Sequence, residues 1–156
     1  MFADERAILN CLSDYCDLID RYDLTSLVGL FPVDGVYDFG FGRVYRGRAE
    51  LEVLFSRVAV YSVTSHHISH VRLDLAGDHA SVRSALYAYH LRSSDDSEVH
   101  VWGQYLDDFR RVDGTWLIAR RALRVAHEKG TRPEGGLPTL YEPLPRFSAG
   151  PGRTFR

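Results

Sequence analysis

The sequence predicts an α+β domain. Helical periodicity occupies the first sixty residues, broken by one short strand pattern, and β patterning fills most of the chain from there to about residue 127. The two regimes are segregated instead of alternating, which places helices on an antiparallel sheet and argues against a parallel α/β arrangement. At 156 residues the chain is long enough for one domain with its own core.

Residues 4–22 read as an amphipathic helix, with Ile8, Leu12, Tyr15, Ile19 and Tyr22 along one stripe. Leu9 and Cys16 widen the stripe on one flank and Cys11 and Leu18 on the other. Asp20 falls on the Leu9–Cys16 edge, where a carboxylate faces either solvent or a cavity. Asp23 is placed to N-cap a short second helix whose apolar face is Leu24, Leu27, Val28 and Phe31, ended by Pro32. Val33 to Phe41, rich in aromatic and β-branched residues, reads as a strand. Gly40 and Gly42 then bend the chain before Val44-Tyr45. A third helix is expected over 48–60, burying Leu51, Leu54, Phe55 and Val58.

Four strand patterns follow, at 63–75, 79–92, 98–111 and 115–127. Their connections are short, and Asp113-Gly114 between two apolar runs is a strong hairpin signal, so the strands form an antiparallel meander. In the first of them His66, Ile68 and His70 share one parity, whereas Val71, Leu73 and Leu75 have the other. That switch predicts a bulge near Ser69–His70 or burial on both faces. From Glu128 glycines and prolines interrupt every pattern, so 1–127 is read as the domain and 128–156 as an arm. Leu137, Leu140, Tyr141, Leu144 and Phe147 give the arm something to bury, against the domain or a neighbouring subunit.

Nineteen basic and twenty-one acidic residues leave a formal charge of −2. No basic cluster marks a nucleic-acid surface. Arg110-Arg111 and Arg120-Arg121 read as solvated strand faces. Cys11 and Cys16 lie about 140° apart around a helix at ~100° per residue, so they do not pair. Two thiols without a disulfide framework fit the cytoplasm. With no apolar run of spanning length and no leader pattern, no membrane partner is expected.

The densest chemistry lies in Thr64-Ser65-His66-His67-Ile68-Ser69-His70, which holds three of the seven histidines. On a regular strand His66 and His70 stand about 13 Å apart at ~3.3 Å per residue, too far to share one ion, so no metal is expected. Acid–base catalysis fits better, since a neutral imidazole moves protons near neutrality once a carboxylate fixes its tautomer. Asp20 is a candidate carboxylate and His90, closing the next strand, a second proton-transfer group. The alternative on composition alone is a hydrogen-bonded core His66, a rim His90 and a solvated Asp20.

Several segments together resemble the SnoaL-like branch of the NTF2-like superfamily, and the scytalone dehydratase group within it. They are Leu18-Ile19-Asp20-Arg21-Tyr22-Asp23, Leu30-Phe31-Pro32-Val33-Asp34-Gly35-Val36, Thr64-Ser65-His66-His67-Ile68-Ser69, Ala76-Gly77-Asp78-His79-Ala80, and Tyr105 to Trp116. The resemblance covers roughly residues 4–127. It implies a cone-shaped α+β barrel, with the N-terminal helices packed on a strongly curved sheet around a deep pocket. It also implies a cofactor-independent dehydratase, cyclase or isomerase acting on a polyketide-like or aromatic intermediate, and a homo-oligomer, dimer or trimer. Carried over by position, the group's catalytic Asp and two His fall on Asp20, His66 and His90. The dehydratase's water-holding tyrosines fall on Ile19 and Phe39, and its polar residues on the third meander strand fall near Gly103 and Tyr105, so scytalone itself is not the expected substrate. Tyr15, Phe39 and Tyr105 are expected to hold a flat ring. Two further readings stay open: a non-catalytic subunit like the β-subunits of ring-hydroxylating dioxygenases, and an epoxide-opening enzyme using Asp20 and Asp38.

Overall fold

The stripe of the first helix turns Ile8, Leu12, Tyr15 and Ile19 into the core, each 4% exposed or less. The computed structural model describes residues 2–40 and 42–130, and in it this helix, α1, spans Phe2–Asp20. It stops short of the expected Tyr22 because Tyr22 takes a left-handed conformation, φ 57°. The Asp23 N–H reaches back to the Leu18 carbonyl at 2.9 Å and the Tyr22 N–H to Ile19 at 3.2 Å, the paired bonds of a Schellman stop. Tyr22 thereby leaves the stripe and its hydroxyl donates to the Ser56 carbonyl. Leu9, expected on the buried flank, is exposed.

Asp23 caps α2 (Leu24–Gly29) as its residue type predicts, accepting the Ser26 N–H at 3.1 Å. The strand expected over Val33–Phe41 is cut to β1, Val36–Asp38. A turn closed by the Gly35 N–H on the Pro32 carbonyl precedes it, and the Asp38 carboxylate takes the Gly40 N–H at 2.7 Å and bends the chain away after it. β2 (Val44–Arg46) pairs back on β1. The third helix covers Gly47–Ser56 as α3 and tightens into a 3-10 turn over Arg57–Val60, where the β-branched Val58 and Val60 favour leaving the α-helix.

β3 (Tyr61–Ala76), β4 (His79–Arg92), β5 (Glu98–Val112) and β6 (Thr115–Gly130) form the expected antiparallel meander. Asp113 and Gly114 both adopt positive φ, 48° and 81°, as a two-residue hairpin turn requires. The sheet is mixed, with order β2-β1-β6-β5-β4-β3, because β1 lies parallel to β6. Register shifts fall at Ser69/Arg72 between β3 and β4, and at Trp102/Gly103 and Asp108/Phe109 between β5 and β6. These bulges curve the sheet strongly around the helices. The first is the bulge that the parity switch predicts, and His70 within it has φ 50°.

The expectation that Arg120-Arg121 is a solvated pair fails at Arg121, which is fully buried. Ala119 is the extra residue at the Asp108/Phe109 shift. Inward positions on β6 therefore pass from Trp116 and Ile118 to Arg121, Leu123 and Val125. Cys11 and Cys16 are free, buried thiols, and burial pushes them up to about 12 and about 11. Among the described residues no helix is long and apolar enough to cross a membrane. The expected arm lies outside the described residues from residue 131 on, and β6 runs to Gly130.

Candidate active site

Asp20 is the last residue of α1, at the helix end where the macrodipole disfavours an anion. It is held there by β3. The Thr64 hydroxyl donates to Oδ1 at 2.9 Å, the His66 backbone N–H to Oδ2 at 2.8 Å, and His66 Nδ1 lies 2.7 Å from Oδ1. Burial pushes the carboxyl up. The hydrogen bonds from the His66 ring and backbone, the imidazole's charge and the Thr64 hydroxyl outweigh it, leaving Asp20 below the ordinary aspartate value. An ionised carboxylate accepts a hydrogen bond from Nδ1–H, and in that tautomer Nε2 is the nitrogen left to accept a proton. The His66 side chain is only 4% exposed.

Register places the second histidine. His66 stands opposite Ala88 and Thr64 opposite His90, so His66 and His90 are diagonal neighbours on the inner face. Their rings lie 5.2 Å apart and perpendicular, and Tyr61 packs 4.8 Å from His90. His90 is 3% exposed. The structure therefore brings Asp20, His66 and His90 together. His67 and His70 lie elsewhere: His67 stacks on Tyr87, and His70 sits at the bulge beside the Ser69 hydroxyl. Both are exposed.

His66 and His90 open on an interior cavity whose other walls include Tyr15, Ile19, Tyr37, Phe39, Phe55, Val58 and Tyr105. The three expected ring-holding residues, Tyr15, Phe39 and Tyr105, are thus in the wall. The cavity volume is about 30 Å³, room for a water molecule but not for a ring, so a ring enters only if side chains give way. Asp38 is not in the wall. Its carboxylate is held by Arg120 at 2.5 Å and by Arg124, which removes the geometric basis for pairing it with Asp20 in epoxide opening.

Three wall or near-wall residues escape a reading by composition. Tyr37 lies two residues before Phe39 and so on the same strand face. Asp107 shares the inward parity of Val99, Val101, Tyr105 and Phe109, a detectable signal. Arg121 carries no such signal, since the bulge that turns it inward is invisible locally.

The profile of the SnoaL-like domain matches residues 1–122. The chain belongs to the SnoaL-like domain family. Among solved structures this SnoaL-like domain is similar to a protein of Novosphingobium aromaticivorans provisionally named a scytalone dehydratase. The two are 26% identical with a TM-score of 0.80, covering 88% of this chain and 94% of that one. It is also similar to a provisionally named aromatic ring hydroxylase of the same organism, 26% identical with a TM-score of 0.78, covering 84% and 95%. A hexachlorocyclohexane dehydrochlorinase, 17% identical with a TM-score of 0.76 over 92% and 95%, shares the fold. No curated protein matches the sequence.

Within the SnoaL-like frame, Gly103 explains itself by packing. A Cβ there would lie 2.4 Å from the Arg124 carbonyl oxygen, so the bulge excludes any side chain at this position.

Proposed function

We propose that this SnoaL-like domain is a cofactor-independent acid–base enzyme, a dehydratase, cyclase or isomerase, acting on a hydrophobic aromatic or polyketide-like small molecule. The observation that carries the reading is the 2.7 Å contact of Asp20 with His66 Nδ1, with His90 beside it in an apolar cavity. His66 Nε2 takes a proton from carbon, Asp20 holds the imidazolium that results, and His90 returns a proton to a departing hydroxyl or steadies a developing oxyanion. The relative named as a scytalone dehydratase, a lyase-type enzyme, supports the class. Self-association as a dimer or trimer belongs to the same reading.

The test is turnover of a panel of ring-bearing β-hydroxy ketones, followed by loss of water or by deuterium uptake from D2O. His66→Ala and Asp20→Asn should each lower kcat by ~10²–10⁴ with an unchanged fold, and the wild-type profile should be bell-shaped in pH. Full turnover in either variant would refute the mechanism. The likeness to a protein named as an aromatic ring hydroxylase and the narrowness of the cavity favour one second reading, a non-catalytic subunit. Co-purification with a larger iron-containing subunit would support it.

A further inference from the structure

The cavity that holds His66 and His90 admits water but not a ring, so a substrate enters where its wall is thinnest. A surface groove of about 340 Å³ lies between the end of α1, the 3-10 turn and the start of β3. Ile19 and Val58 line both the groove and the cavity. These two side chains, on residues 4% and 3% exposed, separate the groove from the interior. Arg21, Tyr22, Ala59 and Ser62 around them are exposed. The catalytic pair straddles the same partition, with Asp20 in the wall of the groove and His66 in the wall of the cavity. The two surface grooves that flank Asp74 share no wall residue with the cavity.

The two sides of the partition are held differently. Ile19 precedes Asp20, whose carboxylate is tied to β3 by the Thr64 hydroxyl, the His66 N–H and the His66 ring, so α1 ends at a fixed point. Val58 lies in the four-residue 3-10 turn Arg57–Val60, a conformation whose hydrogen bonds have poorer geometry than those of an α-helix. The strand that follows is irregular too, with a register shift at Tyr61/Val63. Tyr22, in the groove wall, donates its hydroxyl to the Ser56 carbonyl at 3.2 Å and so joins the end of α1 to the last residue of α3. That bond is exposed, and water competes for both partners. A short turn held in this way opens at lower cost than the helix or the sheet beside it.

We propose that ring-bearing substrates reach His66 through this groove, with Val58 as the gate that sets the size of ring admitted and the Tyr22–Ser56 bond as its latch. The proposal rests on the acid–base reading above and adds where its substrate enters. Outward movement of the 3-10 turn carries Val58 out of the partition and joins groove to cavity, while the Asp20–His66 pair, on the fixed side, keeps its geometry. The substrate class that fits is a flat ring with one apolar edge to pass the two aliphatic side chains. Its polar substituents trail in the groove beside Ser62, Thr64 and Arg21.

Diethyl pyrocarbonate, which acylates neutral imidazole, tests the route without turnover. Peptide mass spectrometry gives the rate of acylation of His66 relative to the exposed His67 of the same molecule. Val58→Ala should raise that ratio by ~10-fold and Tyr22→Phe by ~3-fold, because each removes part of what keeps the turn shut. Leu86→Ala is the control. Leu86 lines the cavity from β4 and takes no part in the groove, and its truncation costs at least as much stability, so the ratio should stay at the wild-type value. An unchanged ratio in Val58→Ala, or an equal rise in Leu86→Ala, would overturn the gate, and an unchanged ratio in Tyr22→Phe would remove the latch. Failure of the acid–base reading shows separately, as absence of wild-type turnover across the substrate panel.

Discussion

At the scale of single residues, Asp20 is where the proposed chemistry and stability meet. Its carboxylate gives three of its contacts to β3, and its proton affinity in the folded state is below the ordinary value of 3.8. A depressed folded-state value means the native protein binds fewer protons than the unfolded chain in that range. The stabilisation is therefore present above about pH 4 and lost as pH falls through the folded value. With its side chain 23% exposed, solvent tempers the effect to on the order of 1 kcal/mol. Urea unfolding between pH 6 and pH 3 should show the wild type losing more stability than Asp20→Asn; parallel curves would mean that the Asp20–His66 pairing contributes nothing to folding. That Asp20, His66 and His90 stand close together was legible in the sequence only through the resemblance to the scytalone dehydratase group, since composition alone left each of them a structural residue. Arg121 was not, because its neighbour Arg120 is half-exposed and pairs with Asp38, and nothing in the dipeptide distinguishes the two.

At the scale of elements, the decisive features are the bulges. The parity switch after His70 was readable because it separates two apolar runs on one strand. The shifts at Trp102/Gly103 and Asp108/Phe109 were not, since they are set by how β5 and β6 pair and not by either pattern alone. Likewise the strand pattern of Val33–Phe41 could not reveal that β1 would lie parallel to β6, a contact between residues some eighty apart. Gly103 marks where β6 presses closest. A methyl group there meets backbone at 2.4 Å, which no rotamer change relieves, so Gly103→Ala should destabilise the domain by about 1–3 kcal/mol. Alanine at Gly77, where a Cβ meets nothing within 4 Å but φ is 61°, is the control, expected to cost about 1 kcal/mol from backbone conformation alone. Chemical denaturation of both variants measures the difference. Equal losses would mean that the β5–β6 approach at Gly103 relaxes freely.

At the scale of the whole molecule, the curved sheet and the helices enclose a cavity that is already close to filled, and the balance between stability and access lies in its smallest wall residues. Ala88 is 2% exposed, faces His66 across β3–β4 and lines the cavity. Two added methyl groups at this position would occupy space next to the histidine pair. Ala88→Val should bury additional apolar surface, worth up to about 1 kcal/mol, against a comparable overpacking cost, so the melting temperature should move little. Turnover should fall at least ~10-fold if a ring must reach His66 Nε2, because a misplacement near 1 Å at the reacting centre is that damaging. The loss should appear in kcat/KM for ring-bearing substrates while the Asp20–His66 contact persists, observable as an unchanged chemical shift for the His66 Nδ1 proton. A domain that served only as a scaffold would tolerate Ala88→Val in every assay, including assembly with a larger subunit. The same substitution therefore separates the two readings: lost turnover in an intact fold belongs to an enzyme, and indifference belongs to a subunit.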